Sequence, residues 1–188
     1  MDPKVDGFVA EMMRLLDRQP DQQAVDFLAS VRDLIADLVA TDDWLPASHA
    51  APHPLYYQQY PLYVDPRARF SLVSFVWGPG QVTPVHDHTI WGVIGVLRGA
   101  EHSQRYRIDA EGVPHVDGPL ETLRPGDTSI VSAQHGDIHK VANAHADKVS
   151  ISIHVYGGDI GTTSRHVYPL EGGPRRDFIS GYSSPVPG

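Results

Sequence analysis

The strongest constraint on the fold is a series of short, strand-like apolar runs interrupted by glycine and proline. Upstream, Pro52, Pro54, Pro61 and Pro66 exclude a long helix between residues 48 and 69. Several short strands with regular turn signals are typical of an all-β barrel or sandwich, and the sequence predicts one here. The runs cover residues 70–77, 91–97, 103–108, 128–131 and 149–156.

The N-terminal part of the chain has a different pattern. Apolar residues such as Phe8, Met12 and Leu15 recur at helical spacing, and a second stripe of this kind follows. We interpret both stripes as helix faces that pack against the body of the protein. The predicted organisation is one structural domain, with a helical segment over residues 1–45 and a β-barrel over residues 46–188.

Composition excludes several classes of function. The net charge of −8 argues against nucleic acid or an anionic membrane as the main partner, since both require basic surface. The chain has no cysteine, which excludes disulfides, thiolate-bound zinc and iron–sulfur clusters. No apolar stretch approaches the ~20 residues of a membrane span, and no signal peptide is visible. The expectation is a cytoplasmic protein, with its oligomeric state left open.

The spacing of the histidines, eleven in all, indicates a metal site. His86 and His88 lie two residues apart, so in an extended segment both side chains point to one face and Asp87 points away. Two imidazoles placed in this way can bind one ion. His139, which follows a turn at Gly136, is the candidate third ligand. The alternative is that His86 and His88 are two solvent-exposed histidines and that His139 is unrelated to them.

The segments around these histidines resemble the two motifs of the cupin superfamily, which has a jelly-roll-like β-barrel fold. Most cupins place a glutamate ligand where this sequence has Gly92, and Gln134 stands where a proline is usual. In lacking this glutamate the sequence resembles the thiol dioxygenases, whose iron is held by three histidines. The motifs read Gly80-x5-His86-x-His88-x3-Gly92-x6-Gly99 and Gly136-x2-His139-x3-Asn143.

A second signature lies in the last strand-like run. Ser152, His154 and Tyr156 alternate with apolar residues, so all three face one side. An amphipathic strand with a solvated face is the plain alternative. The three residues, called the triad below, resemble the hydrogen-bonded group that places a tyrosine hydroxyl beside the iron in thiol dioxygenases. The resemblance extends over roughly residues 58–168.

Membership of the cysteine dioxygenase family would imply a specific chemistry. The resemblance implies an Fe(II) enzyme that adds both atoms of O2 to the sulfur of a small thiol carboxylate, giving the sulfinate. It also implies that Tyr156 acts beside the iron, with His154 and Ser152 orienting it.

The substrate carboxylate requires a cation, and Arg165 is the candidate. Animal-type cysteine dioxygenases carry their arginine upstream of the first motif, where this chain has glutamines, of which we favour Gln59. Glutamine there with an arginine downstream resembles the bacterial 3-mercaptopropionate dioxygenase type. Arg67 and Arg69 are possible substitutes for Arg165.

Two other classes of function stay open at this stage. Three histidines also hold zinc in hydrolytic or isomerising cupins, where the metal activates water. A cupin can also bind a small ligand without catalysis. The sequence leaves open the choice between 3-mercaptopropionate and L-cysteine, and the identity of a divalent metal bound by three imidazoles.

Overall fold

The computed structural model describes residues 2–19, 21–22 and 24–184. Within this part of the chain, two α-helices and a single 3-10 turn (Ala47–His49) accompany twelve β-strands. The helices are α1 (Pro3–Arg18) and α2 (Val25–Val39). The strands are β1 (Gln58–Val64), β2 (Ser71–Trp77), β3 (Val85–His86), β4 (Gly92–Arg98), β5 (Glu101–Ile108), β6 (Pro114–Val116), β7 (Glu121–Leu123), β8 (Thr128–Val131), β9 (His139–Asn143), β10 (Ser150–Tyr156), β11 (Arg165–Tyr168) and β12 (Arg176–Phe178).

The two helices cover one face of the β structure. Helix α1 begins with Asp2, whose side chain accepts a hydrogen bond from the Lys4 amide at 2.9 Å, and a proline occupies the first turn. Helix α2 packs on β4 and β8. Its Ile35 lies directly over Gly95 of β4, where a Cβ atom would clash with the isoleucine. Helices and strands therefore share one apolar core.

The first sheet has the strand order β1-β2-β10-β4-β8 and is antiparallel throughout. Every residue of β2 and β10 is buried. One face of this sheet packs on the helices and the other faces the interior of the molecule. This double coverage explains why the sequence shows long apolar runs in these strands.

The second sheet has the order β12-β11-β3-β9-β5-β6, with β7 also pairing with β5. Its strands alternate between buried and partly exposed residues, as β5 and β9 show. The outer face of this sheet therefore contacts solvent, and its inner face opposes the first sheet across a cavity. The predicted class, all-β with N-terminal helices, is confirmed.

Several strands escaped prediction. Pro61 lies inside β1, which is an edge strand with a register shift between Pro61 and Tyr63, and edges tolerate proline. The short strands β3, β11 and β12 carry too few residues to show a period. The division at residue 45 stays a prediction, and residues 185–188 of the proposed barrel lie outside the described residues. No helix among the described residues is long and apolar enough to cross a bilayer.

Candidate metal centre

The side chains of three buried histidines converge on the inner face of the second sheet. Strands β3 and β9 are neighbours, and their pairing sets His86 opposite His139. His88 is the second residue after the end of β3. The three ring centroids are each 4.9 Å apart, and one nitrogen from each ring lies within 4.8 Å of the other two. The structure thus brings the three predicted ligands to one point.

Hydrogen bonds orient two of the rings. Nδ1 of His86 lies 3.1 Å from the Pro84 carbonyl, and Nδ1 of His88 lies 3.0 Å from Asp137 Oδ1. Because a carbonyl and a carboxylate can only accept, both Nδ1 atoms carry the hydrogen. Burial alone would raise the pKa of Asp137, but hydrogen bonds from His88 and Thr89 outweigh it and lower that pKa. The Nε2 lone pairs are left free for a metal ion.

The third ring has a similar support. Nδ1 of His139 lies 3.3 Å from the Ser103 hydroxyl on the adjacent strand β5. Burial, with a contribution from His88, lowers the pKa of His86 to about 3, and burial also lowers the pKa of His139 well below its usual value. Both rings are therefore neutral at ordinary pH. Neutral imidazoles with converging lone pairs fit a divalent transition metal such as iron or zinc.

Gly92 explains the absence of a carboxylate ligand. A Cβ atom at this position would lie 2.8 Å from the ring of Tyr156. The tyrosine ring, which also stacks on His88 with centroids 5.6 Å apart, fills the space that a side chain would need. The tyrosine and a glutamate at position 92 are therefore sterically incompatible.

The triad faces the same cavity as the histidines. The Tyr156 hydroxyl lies 2.8 Å from Nδ1 of His154, and Nε2 of His154 lies 2.7 Å from the Ser152 hydroxyl. All three residues are buried. Burial raises the pKa of the Tyr156 hydroxyl and lowers that of His154 well below its usual value, so both groups are neutral. Each contact is short enough to pass a proton.

Sequence reasoning missed a carboxyl group behind the triad. Glu101 of β5 is only 1% exposed, near the Ser152 hydroxyl and the Trp77 indole. Burial raises the pKa of Glu101 to about 7, although the nearby Ser152 hydroxyl and Trp77 indole oppose the rise. Its only signal in the sequence is its place two residues before Ser103, which shows a shared face but not which face is inside. Asp137 was missed for the same reason.

The cavity between the sheets has a volume of about 220 Å³. Its wall consists of the three histidines, the triad residues Tyr156 and His154, and mostly apolar or aromatic side chains such as Phe75 and Trp77. Arg165 is the only charged side chain, histidine aside, among the described residues that line it. The site therefore combines a metal-ligand cluster, a hydroxyl and one cation in a largely dry space.

Arg165 is a buried cation without an acidic partner among the described residues. It is 3% exposed, its guanidinium lies 4.5 Å from the ring centroid of Phe178, and Nε has no hydrogen-bond partner. Burial lowers the pKa of this guanidinium. A buried charge of this kind is costly unless a ligand pairs with it. The arrangement is suited to an anionic ligand in the cavity.

Asp87 positions the strand that carries Arg165. It points away from the cavity, as predicted, and accepts hydrogen bonds from the His166 amide, the His166 ring and the Tyr168 hydroxyl at 2.8, 2.7 and 2.8 Å. These contacts hold β11 against β3. The residue between two histidine ligands thus sets the position of the cation.

The other predicted substrate-binding residues are Gln59, Arg67 and Arg69, and only Gln59 lines the cavity. Gln59 lines the cavity, but its amide nitrogen already donates to Ser180 Oγ at 3.1 Å and to the Gly181 carbonyl at 2.9 Å. Arg69 pairs with Asp65 at 2.8 Å, and neither it nor Arg67 lines the cavity. A substrate role for Gln59 stays a prediction.

The two facing sheets and the three inner histidines define a cupin-type β-barrel. Solved structures similar to this chain include an uncharacterized conserved protein with a double-stranded β-helix domain from Klebsiella pneumoniae, at 17% identity, 65% coverage of this chain, 93% of that chain and a TM-score of 0.49. Another is a cupin superfamily protein from Desulfitobacterium hafniense, at 15% identity, 61% and 90% coverage and a TM-score of 0.46. Residues 57–167 match the family model of cysteine dioxygenase type I, and the chain belongs to this family.

Proposed function

We propose that this protein is an iron-dependent thiol dioxygenase that adds both atoms of O2 to the sulfur of a small thiol carboxylate. The candidate substrates are 3-mercaptopropionate and L-cysteine, and the product is the sulfinate. One observation carries the proposal: the three converging histidines, the Tyr156 hydroxyl and the Arg165 guanidinium all line a single cavity. We propose further that it acts in the cytoplasm on these small molecules, without a nucleic-acid or membrane partner.

The histidines would hold the metal. Because the three donors are neutral, a bound Fe(II) would keep its full positive charge, which would favour ionisation of a thiol. Three ligands would also leave coordination positions open for the thiolate and for dioxygen. The protein supplies the fixed geometry, because Asp137, Ser103 and the Pro84 carbonyl hold the ring orientations.

Arg165 would bind the substrate carboxylate. Its guanidinium is buried, and an anionic ligand would relieve the cost of that burial. Among the described lining residues there is no aspartate or glutamate that could pair with the amine of cysteine. A thiol carboxylate without an amine is therefore the better complement, which favours 3-mercaptopropionate.

Tyr156 would direct its hydroxyl toward the reacting atoms. Burial keeps the phenol protonated, and the hydrogen bond to His154 restricts the rotation of the hydroxyl group. The aromatic wall formed by Phe75 and Trp77 excludes water and strengthens electrostatic interactions inside the cavity.

Oxygen uptake by the iron-loaded protein tests the proposal. The protein is loaded with Fe(II) under nitrogen and mixed with 3-mercaptopropionate or L-cysteine before oxygen is admitted. We expect equal amounts of oxygen consumed and sulfinate formed, with 3-mercaptopropionate preferred, and no reaction in a zinc-loaded control. Absence of oxygen uptake with every small thiol would contradict the proposal.

A matched pair of tyrosine variants tests the role of the hydroxyl. Tyr156→Phe keeps the ring against Gly92 and should lower kcat by about 100-fold, the usual effect of removing one catalytic donor. Tyr106→Phe on the partly exposed part of β5 is the control. Equal rates in both variants would show that the Tyr156 hydroxyl takes no part in the reaction.

A further inference from the structure

Phe178 is the side chain that contacts the cation proposed to bind the substrate carboxylate. Arg165 on β11 and Phe178 on β12 are directly paired across these two antiparallel strands. Directly paired residues place their side chains on the same face of a sheet. The guanidinium carbon of Arg165 lies over the Phe178 ring, 4.5 Å from its centroid, and both residues line the cavity. The register of the two strands therefore sets this contact at the cavity wall.

The aromatic ring takes the place that an acidic partner would otherwise have. Among the residues that the structure describes, the Arg165 guanidinium makes no hydrogen bond and no ion pair, and its Nε atom is buried without a partner. An aromatic ring attracts a cation through its π electrons but does not neutralise its charge. An aspartate or glutamate would neutralise the charge and also occupy the N–H donors. The guanidinium therefore keeps both for a ligand.

The position of the aromatic ring depends on the chain that follows β12. This strand has three residues and lies at the edge of the second sheet, where local opening is easy. The chain then crosses to the first sheet, where the Gln59 side chain donates to Ser180 Oγ at 3.1 Å and the Ser183 amide donates to the Gln59 carbonyl at 2.8 Å. The Tyr182 hydroxyl donates to Asp159 at 2.5 Å. These hydrogen bonds tie the edge strand to the opposite sheet and so hold the ring in place.

We propose that Phe178 is a positioning residue for substrate recognition. Its ring holds the Arg165 guanidinium at the cavity wall with the charge and the N–H donors free, so that the site selects thiols that carry a carboxylate. Phe178 itself takes no part in the reaction and acts through Arg165. The inference rests on the proposed thiol dioxygenase function and assigns the selection of the anionic substrate to a contact between two strands.

A simple packing role for Phe178 makes a different prediction. The ring also lines a pocket on the neighbouring surface, together with Tyr57 and Ser180, so it separates the cavity from that surface. If the ring served only to close the cavity, its loss would weaken the binding of charged and neutral thiols alike. If it acts through the guanidinium, its loss should matter only for ligands with a carboxylate. The charge of the ligand therefore distinguishes the two roles.

Equilibrium dialysis under nitrogen tests the proposal without turnover. Fe(II)-loaded wild type, Phe178→Leu and Phe178→Tyr are dialysed against 3-mercaptopropionate. Leucine keeps an apolar side chain but has no π face, so the Kd should rise by about 5- to 30-fold. Tyrosine keeps the π face, so its Kd should stay within about two-fold of wild type. An unchanged Kd in Phe178→Leu would overturn the proposal.

A neutral analogue separates positioning from packing. In 3-mercaptopropionamide an uncharged amide replaces the carboxylate, while the thiol and the chain length are kept. Phe178→Leu should bind this analogue as tightly as wild type does, because the ion pair with Arg165 is missing in both proteins. An equal loss of affinity for the acid and for the amide would overturn the proposal and assign Phe178 to packing.

A double-mutant comparison tests whether the ring acts through the guanidinium. In the Arg165→Ala background, Phe178→Leu should cause no further rise in the Kd for 3-mercaptopropionate, whereas independent roles would give additive losses and contradict the proposal. In single-variant kinetics, Phe178→Leu should raise KM and leave kcat nearly unchanged. Ile179→Ala, at the neighbouring residue, which is 61% exposed, is the control and should bind as wild type. Failure of wild type to bind any thiol would instead contradict the proposed function.

Discussion

The two sheets of this barrel contribute to the site in different ways. The first sheet is covered on both faces, and its strand β10 presents apolar residues to the helices and the triad to the cavity. The second sheet has a solvent-facing side and supplies the three histidines and Arg165 from β3, the residues after it, β9 and β11. One sheet is held by apolar packing, and the other is held near the site by polar contacts.

This difference suggests a division of labour. Apolar burial on the helix side of the first sheet fixes the position of the triad without limiting its chemistry. Beside the second sheet, the buried Asp87 and the partly buried Asp137 accept hydrogen bonds from backbone and imidazole donors and so place the ligands. Changes in the second sheet should therefore affect binding and catalysis, and changes on the helix side should affect stability.

The largest effect is expected for His139→Ala. Loss of one of three ligands should abolish iron binding and sulfinate formation, while the apolar core of the first sheet keeps the chain folded. Iron content and oxygen uptake measure the result. His145→Ala, which alters a histidine outside the cluster, is the matched control. Iron and activity retained by His139→Ala would show that the third ligand is misassigned.

Arg165→Ala should weaken substrate binding. A lost charge-assisted contact costs about 1.5–3 kcal/mol, which corresponds to a rise in KM of about 10- to 150-fold. The KM for 3-mercaptopropionate is measured beside that of Arg67→Ala, whose side chain lies outside the cavity. Equal KM values in the two variants would assign carboxylate binding to another group.

Gly95→Ala probes the helix side of the first sheet. The added methyl would clash with Ile35 of α2, and overpacking of this kind should lower the free energy of unfolding by about 1–3 kcal/mol. Iron bound per folded molecule should not change. Urea unfolding is compared with Gly7→Ala in α1, where nothing lies within 4 Å of the new methyl. Loss of iron without loss of stability would contradict the division between the sheets.

The smallest effect concerns the turn between β1 and β2. Hydrogen bonds from Arg69 lower the pKa of Asp65 from 3.8 to about 2. Because the folded pKa is the lower one, the stabilisation is complete above about pH 4 and disappears as the pH falls toward 2. Asp65→Asn should therefore lose less unfolding free energy than wild type over this pH window. Asp117→Asn, at an exposed carboxyl, should lose as much as wild type. Parallel acid unfolding curves for wild type and Asp65→Asn would contradict this.

Prediction from sequence succeeded where local periodicity carries the information. The long strands β2, β4 and β10 matched their predicted runs closely, because burial on both faces leaves continuous apolar stretches. The spacing of His86 and His88 placed them on one side because alternation is a property of the extended backbone. The two-residue strand β3 that carries His86 could not be found, since only its pairing with β9 and β11 defines it.

The sequence by itself determined the donor set: three histidines at diagnostic spacing, no cysteine, and a glycine in place of a glutamate. It also set the alternation that puts the triad on one side of a strand. Only the tertiary structure decided that Glu101 lies buried behind Ser152, that Asp137 holds His88, and that Gln59 is engaged by residues more than a hundred positions away. The physical reason is that burial and hydrogen-bond partners of a polar group depend on distant strands, whereas alternation depends only on the backbone next to it.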